Sequence, residues 1–285
     1  MSLSALSQTS SKGTFMPPID VSAKPSLLLI GWGAIGRLVL DRLGGEADVT
    51  VLARSGRAEA ARAALPTGIR IVERIDAVSP FPALAFECGG HGAVIEHGEA
   101  VLSRGSELVV VSTGALADPA LFARLKAAAE RGAGRLSLVS GAVGGIDALS
   151  AAREGGLTKV VYTGRKPPAG WRGTAAEAVV DLDRIVGPAE VFRGSAGEAA
   201  RRFPQNANVA ATIALAGLGL EATEATLIAD QAAPGNVHRI EAEGAFGRFA
   251  LEFVGRTLPG NPKTSMMAAL SVVRAARNRI GRIAI

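Results

Sequence analysis

Leu27-Leu28-Leu29-Ile30-Gly31-Trp32-Gly33-Ala34-Ile35-Gly36 is the stretch that decides how this chain folds. Four consecutive apolar residues that run straight into glycine read as a short strand buried on both faces. Gly31, Gly33 and Gly36 then fall at the spacing that a strand-to-helix turn needs around a pyrophosphate. The first permits the tight turn, the second lets the backbone approach the phosphates, and the third lets helix and strand pack closely. Residues 35–43 continue at helical spacing, so the turn opens a helix whose free N–H groups and partial positive charge face the phosphates. Between a strand and a helix, the motif points to dinucleotide binding at Gly31, Gly33, Ala34, Ile35 and Gly36. A plain glycine-rich turn is the competing reading.

Working outward, residues 49–52, 69–72, 84–86, 108–112 and 136–139 read as further strands. Helices are expected at 93–103 and at 119–131, the latter with Pro119 in its first turn. Strands alternating with helices mean a doubly wound parallel sheet, an α/β Rossmann domain. Beyond residue 140 the texture changes. A helix at 146–153, a strand at 159–163 and a helix at 207–218, apolar nearly all round and hence buried, lead to strand candidates at 225–229, 237–242 and 246–254. Successive strands without intervening helices imply a mostly antiparallel sheet, so a second domain of α+β type. The expected organisation is a flexible tail (1–26), a dinucleotide-binding domain (27–139), a substrate domain (140–261) and a C-terminal helix (262–285) that begins after Pro262 and spans 263–280.

Composition narrows the function. At ~150 residues per domain, 285 residues accommodate two. With 48% hydrophobic and 20% charged residues, a disordered chain is excluded. The apolar stretch 209–220 is 12 residues long, against the ~20 needed to span a bilayer, so no membrane partner is expected. The net charge of +5 comes from 25 arginines and six lysines that are scattered, and aromatics are only 4%, which argues against nucleic acid. Excess positive charge instead suits anionic small molecules. A single cysteine, Cys88, excludes an internal disulfide framework, and three histidines leave little for a metal; a reducing, cytoplasmic setting fits. The tail has no basic segment followed by an apolar one, so no secretory signal is expected.

After the second strand an NAD-selective site carries an acid for the ribose 2′-hydroxyl. Here the chain reads Ala53-Arg54-Ser55-Gly56-Arg57. Arg54 suits a 2′-phosphate, so the site is expected to accept NADP, with NAD alongside it; a solvated loop arginine is the alternative. His91 either lines the nicotinamide pocket or caps a helix, Cys88 reads as a small buried packing residue, and His97 receives no role. His238 shares one face of its strand with Ile240 and Ala242. Imidazole on that apolar face is desolvated, as either a packed core histidine or a general base working near neutral pH.

Taken together, these motifs resemble the L-aspartate dehydrogenases linked to NAD biosynthesis. The resemblance runs from about Leu27 to Asn278. It rests on the glycine loop, on Glu87-Cys88-Gly89-Gly90-His91, Ser112-Thr113-Gly114-Ala115, Ser140-Gly141-Ala142-Val143-Gly144-Gly145 and Tyr162-Thr163-Gly164-Arg165-Lys166-Pro167-Pro168. Pro204-Gln205-Asn206-Ala207-Asn208, Asn236-Val237-His238-Arg239-Ile240 and Asn261-Pro262-Lys263-Thr264-Ser265 complete it. The resemblance implies that Ala142 and Asn208 contact the NAD or NADP cofactor, that His238 is catalytic, and that the last helix returns to the first domain. It implies reversible oxidation of L-aspartate to iminoaspartate, which feeds a quinolinate precursor or hydrolyses to oxaloacetate and ammonia, in a homodimer. Arg165, Lys166 and Lys263 are the candidates for the substrate's carboxylates. Another amino-acid or imino-acid dehydrogenase, or a non-catalytic NAD(P)-binding redox sensor, would share the cofactor domain.

Overall fold

The computed structural model describes residues 24–285 except 44, 67, 205 and 206, and not the side chains of 262 and 263. The 1–26 tail therefore lies almost wholly outside the described residues. The first sheet holds β1 (Ser26–Ile30), β2 (Asp48–Leu52), β3 (Arg70–Val72), β4 (Leu84–Glu87), β5 (Glu107–Val110) and β6 (Arg135–Leu138). All neighbours are parallel, in the order β3-β2-β1-β4-β5-β6. The chain reverses direction across the sheet between β1 and β4, and doubly wound sheets bind ligands at that switch point. Helices α1 (Ala34–Leu43), α2 (Ser55–Ala64), α3 (His91–Leu102) and α4 (Pro119–Gly132) connect the strands.

The second unit comprises α5 (Ile146–Glu154), β7 (Leu157–Lys166), β8 (Ala189–Ser195), α6 (Ala196–Arg202), α7 (Ala207–Ala216), β9 (Glu224–Ala229), β10 (Asn236–Gly244) and β11 (Gly247–Gly255). Its sheet order is β11-β10-β7-β9-β8. The sheet is mostly antiparallel, but β9 does not pair with β10: β7 lies between them and runs parallel to β9. Succession along the chain therefore misstated the pairing. The strand read at 159–163 extends to Lys166, and β8 and α6 are elements that the hydrophobic periodicity did not mark. Helix α7 is buried at eight of its ten positions, as an apolar surface all round requires.

The C-terminal helix starts later than its periodicity suggests. Residues Asn261–Ser265 form β13, paired with β12 (Thr257–Leu258), and α8 is Met266–Ile280. Pro262 disfavours helical geometry at Asn261, and Ser265 takes the extended N-cap conformation, φ −64° and ψ 132°. Helix α8 packs on α1: Val272, Val273 and Ala276 share one core with Leu27, Leu29, Val39 and Val51. Arg277 closes the join, donating to Glu46 at 2.9 Å and to the Arg42 carbonyl at 2.7 Å.

In the second core Trp171 is fully buried, edge-on to Phe203, and its indole N–H donates to the Ile228 carbonyl at 3.1 Å. Trp171→Ala is expected to cost about 3–5 kcal/mol, whereas Trp171→Phe should cost less because it keeps one of the two rings in the core. Denaturant unfolding of the two variants checks this, and equal losses would contradict the packing role.

Candidate active site

The glycine loop divides into backbone needs that the protein itself explains and one that it does not. Gly31 has φ +104°, and a Cβ there would collide with Gly89. A Cβ on Gly36 would run into the Gly31 carbonyl, so only glycine lets α1 approach β1. Gly33 differs: the nearest atom to a Cβ built there is the Cys88 oxygen at 3.9 Å. Nothing among the described residues demands glycine at that position, but a pyrophosphate resting on the loop would. The residues therefore fit a dinucleotide. Ala34 and Ile35 open α1 directly behind the turn.

A cavity of about 300 Å³ runs alongside this loop. Arg54, next to the first residue of α2, lines it together with Arg57, Trp32 and Cys88. Arg57 was not singled out from the sequence, although it stands three residues from Arg54 on the first turn of a helix. His97 also lines the cavity, half-buried, and burial lowers its pKa. Cys88 is buried, and desolvation followed by the neighbouring Glu87 pushes its thiol pKa well up.

A second cavity, of about 170 Å³, opens where the two sheets meet. Ser112 and Ala142 reach it from the carboxyl edge of the first sheet, Lys166 and His238 from the second, and Asn208 from α7. Thr264 and Ser265 close it in front of α8. The Ser265 hydroxyl oxygen is buried, does not cap its own helix, and has no hydrogen-bond partner among the described residues. The Lys263 side chain lies outside the described residues.

His238 sits on the inward face of β10, opposite Gly164, with only 4% of its surface exposed. Its Nδ1 lies 3.0 Å from the Tyr162 hydroxyl. Gly164 makes this contact possible, since a Cβ there would stand 2.6 Å from the phenol oxygen. Burial, and then the charge of Lys166, pushes His238 down to about 4. The direction is the one expected of an imidazole on an apolar face, and a like charge adds to the desolvation. Burial likewise raises the Tyr162 pKa and lowers Lys166 to about 8.

Strand alternation separates the two cations that the sequence left together. Lys166 shares the inward face with Tyr162 and Gly164, over the Trp171 ring at 5.5 Å. Arg165 points the other way and pairs with buried Asp230 at 3.1 Å, so it is not part of the pocket wall.

Asn208 begins the seam between the sheets. Its Oδ1 accepts the Gly114 N–H at 2.8 Å and lies 2.9 Å from His91 Nε2. His91 is the first residue of α3, and this bond, rather than a local cap, engages its ring. With Oδ1 occupied twice, the amide nitrogen of Asn208 is the end left for the cavity.

Residues 147–279 match the family model described as aspartate dehydrogenase, C-terminal, and residues 31–138 match that of the homoserine dehydrogenase NAD-binding domain. Over 263 residues the chain is 48% identical to an L-aspartate dehydrogenase of Ralstonia nicotianae, covering 90% of this chain and 98% of that one. Identity to an L-aspartate dehydrogenase of Polaromonas is 50% over 259 residues, 89% of this chain and 97% of the relative. The crystal structure of aspartate dehydrogenase from Thermotoga maritima superposes with a TM-score of 0.71 at 26% identity, covering 92% of this chain and 99% of that one. By sequence along both sheets and by fold, this chain belongs to the L-aspartate dehydrogenase family.

Proposed function

We propose that the chain catalyses NAD(P)-dependent oxidation of L-aspartate to iminoaspartate, reversibly. The observation that carries this reading is the second cavity, where a half-buried lysine, a neutral imidazole and a serine hydroxyl with no partner among the described residues converge beyond the dinucleotide loop. In this reading residues 27–139 hold the cofactor, 140–261 supply the substrate groups, and 262–285 tie the two together. Gly31, Gly33, Ala34, Ile35 and Gly36 take the pyrophosphate, Arg54 with Arg57 the 2′-phosphate of NADP, and Ala142 with Asn208 the nicotinamide end.

Oxidation removes a hydride from Cα and a proton from nitrogen, leaving an imine. Accepting that hydride is the chemistry the nicotinamide supplies when bound. The protein positions and polarises. Lys166 holds one carboxylate, the Ser265 hydroxyl can donate to it, and Lys263 is a further candidate cation. His238 handles the proton. With Nδ1–H donating to the Tyr162 oxygen, Nε2 is the base; the imidazolium it becomes, protonated on both nitrogens, is the acid of the reverse step. A bound dianion offsets the Lys166 charge and so raises the basicity of His238 when substrate is present. Hydrolysis of the imine gives oxaloacetate and ammonia.

The enzyme is further read as a cytoplasmic homodimer that feeds NAD biosynthesis; what supports these three points is family membership. Among the described residues no helix is long and apolar enough to cross a membrane.

Cofactor reduction followed with single amino acids tests the substrate. Aspartate should be turned over, while alanine and asparagine should fail by orders of magnitude, because the desolvated Lys166 then lacks its carboxylate. Glutamate should be poor as well, since its extra methylene misplaces Cα. Equal rates for alanine and aspartate would transfer the chain to another amino-acid dehydrogenase.

The pH dependence of binding tests Lys166 separately. Succinate carries two carboxylates and titrates nowhere near pH 8, so it isolates the enzyme group. As pH rises through about 8 the ammonium is lost, and the succinate inhibition constant should climb about tenfold per unit. Lys166→Arg keeps its charge at all accessible pH and should abolish the climb. A flat profile in the unmodified enzyme would remove Lys166 from carboxylate binding.

A further inference from the structure

Glu87 ends β4 with no exposed surface. Four donors converge on it. Its Oε1 accepts the Gly89 N–H at 2.8 Å, the Gly90 N–H at 2.7 Å and the Ser112 hydroxyl at 3.0 Å. Its Oε2 accepts the Ser112 N–H at 3.0 Å. Three of these are backbone N–H groups that can only donate, so a carboxyl proton would compete with donors on both oxygens, and the ionised form is the one the surroundings fit. No lysine or arginine pairs with it among the described residues. Burial raises its pKa, and the four hydrogen bonds oppose that rise.

Its position gives the charge a consequence. Gly89, one of its partners, lines the dinucleotide cavity and is the residue against which Gly31 is packed. Ser112, another of its partners, lines the cavity shared by Lys166, His238, Ala142 and Asn208. Glu87 thus joins the walls of both cavities by one buried anion that no lysine or arginine among the described residues neutralises.

We propose that Glu87 is a positioning residue that fixes both walls of the cofactor site and, through its unpaired charge, makes that site prefer the oxidised, positively charged nicotinamide over the reduced, neutral one. The proposal rests on the dinucleotide-binding reading above. An anion held in a poorly polarisable interior acts on a nearby ring cation more strongly than it would in water. The walls act through geometry, and the charge acts through the difference between the two redox forms.

Fluorescence titration of the purified enzyme with NADP and NADPH, and with NAD and NADH, reads this directly without turnover. Glu87→Gln keeps the shape, removes the charge, and turns an amide donor toward donors. Affinity for the oxidised cofactor should fall more than that for the reduced one, changing the ratio of the two dissociation constants on the order of tenfold. Thermal melting of the same preparation monitors folding, and Glu87→Asp, which keeps the charge on a shorter arm, should restore much of the ratio. An unchanged ratio alongside a lower melting temperature would overturn the proposal and leave Glu87 a purely structural residue. Failure of the unmodified enzyme to bind any of the four nucleotides would instead overturn the dinucleotide reading itself.

Discussion

The first turn of α7 is docked onto the loop that follows β5, and the active site depends on that contact. Asn208 Oδ1 takes the Gly114 N–H, its backbone carbonyl accepts the Thr113 hydroxyl at 2.8 Å, and Thr113 meets the Thr212 hydroxyl at 2.8 Å. Small residues make the approach possible: a Cβ on Gly114 would stand 2.6 Å from that of Ala207. These are polar groups between a largely apolar helix and the loop after β5, so leaving one of them buried without its partner would cost about 1–3 kcal/mol. The seam therefore fixes where β7 and β10 stand above the carboxyl edge of the first sheet. Helix α8 binds the units a second time through α1, and its N-terminal side returns Thr264 and Ser265 to the same cavity.

Electrostatics at this seam follow from burial. Lys166 and His238 are both desolvated and both disfavour charge, yet they lie in one cavity with only one cation between them at neutral pH. In the proposed reaction, a dianion beside Lys166 also raises the basicity of the His238 imidazole. Arg165 is excluded from this chemistry by the period of a strand: one residue away from Lys166, it faces the opposite side and serves Asp230.

The parts of this arrangement legible in the sequence were those set by short-range rules. The glycine loop was legible because each glycine answers a local backbone constraint, and α7 because its apolar surface runs all round. The face of His238 was legible from alternation, and the same rule would have separated Lys166 from Arg165 had the strand been read to its true end. Helix α6 had a signal that went unused: Ser195 and Glu198 form a reciprocal capping box, visible as Ser-x-x-Glu. Helix α2 offered little, since its buried positions are only Ala58 and Ala61. What no local rule could reveal were the pairings across the chain. Tyr162 meets His238 over 76 positions, Asn208 meets His91 over 117, and β7 enters between β9 and β10.

The central claim is that this seam holds the substrate Cα against the nicotinamide, so that hydrogen passes between them in one step. L-aspartate carrying deuterium at C2 tests it most directly, with the label traced by mass spectrometry and NMR of the reduced cofactor. The account predicts one deuterium at C4 of the nicotinamide, on a single face, and a lower rate when that step limits turnover. Deuterium released to solvent, with none on the cofactor, would contradict direct transfer and with it the role assigned to the pocket.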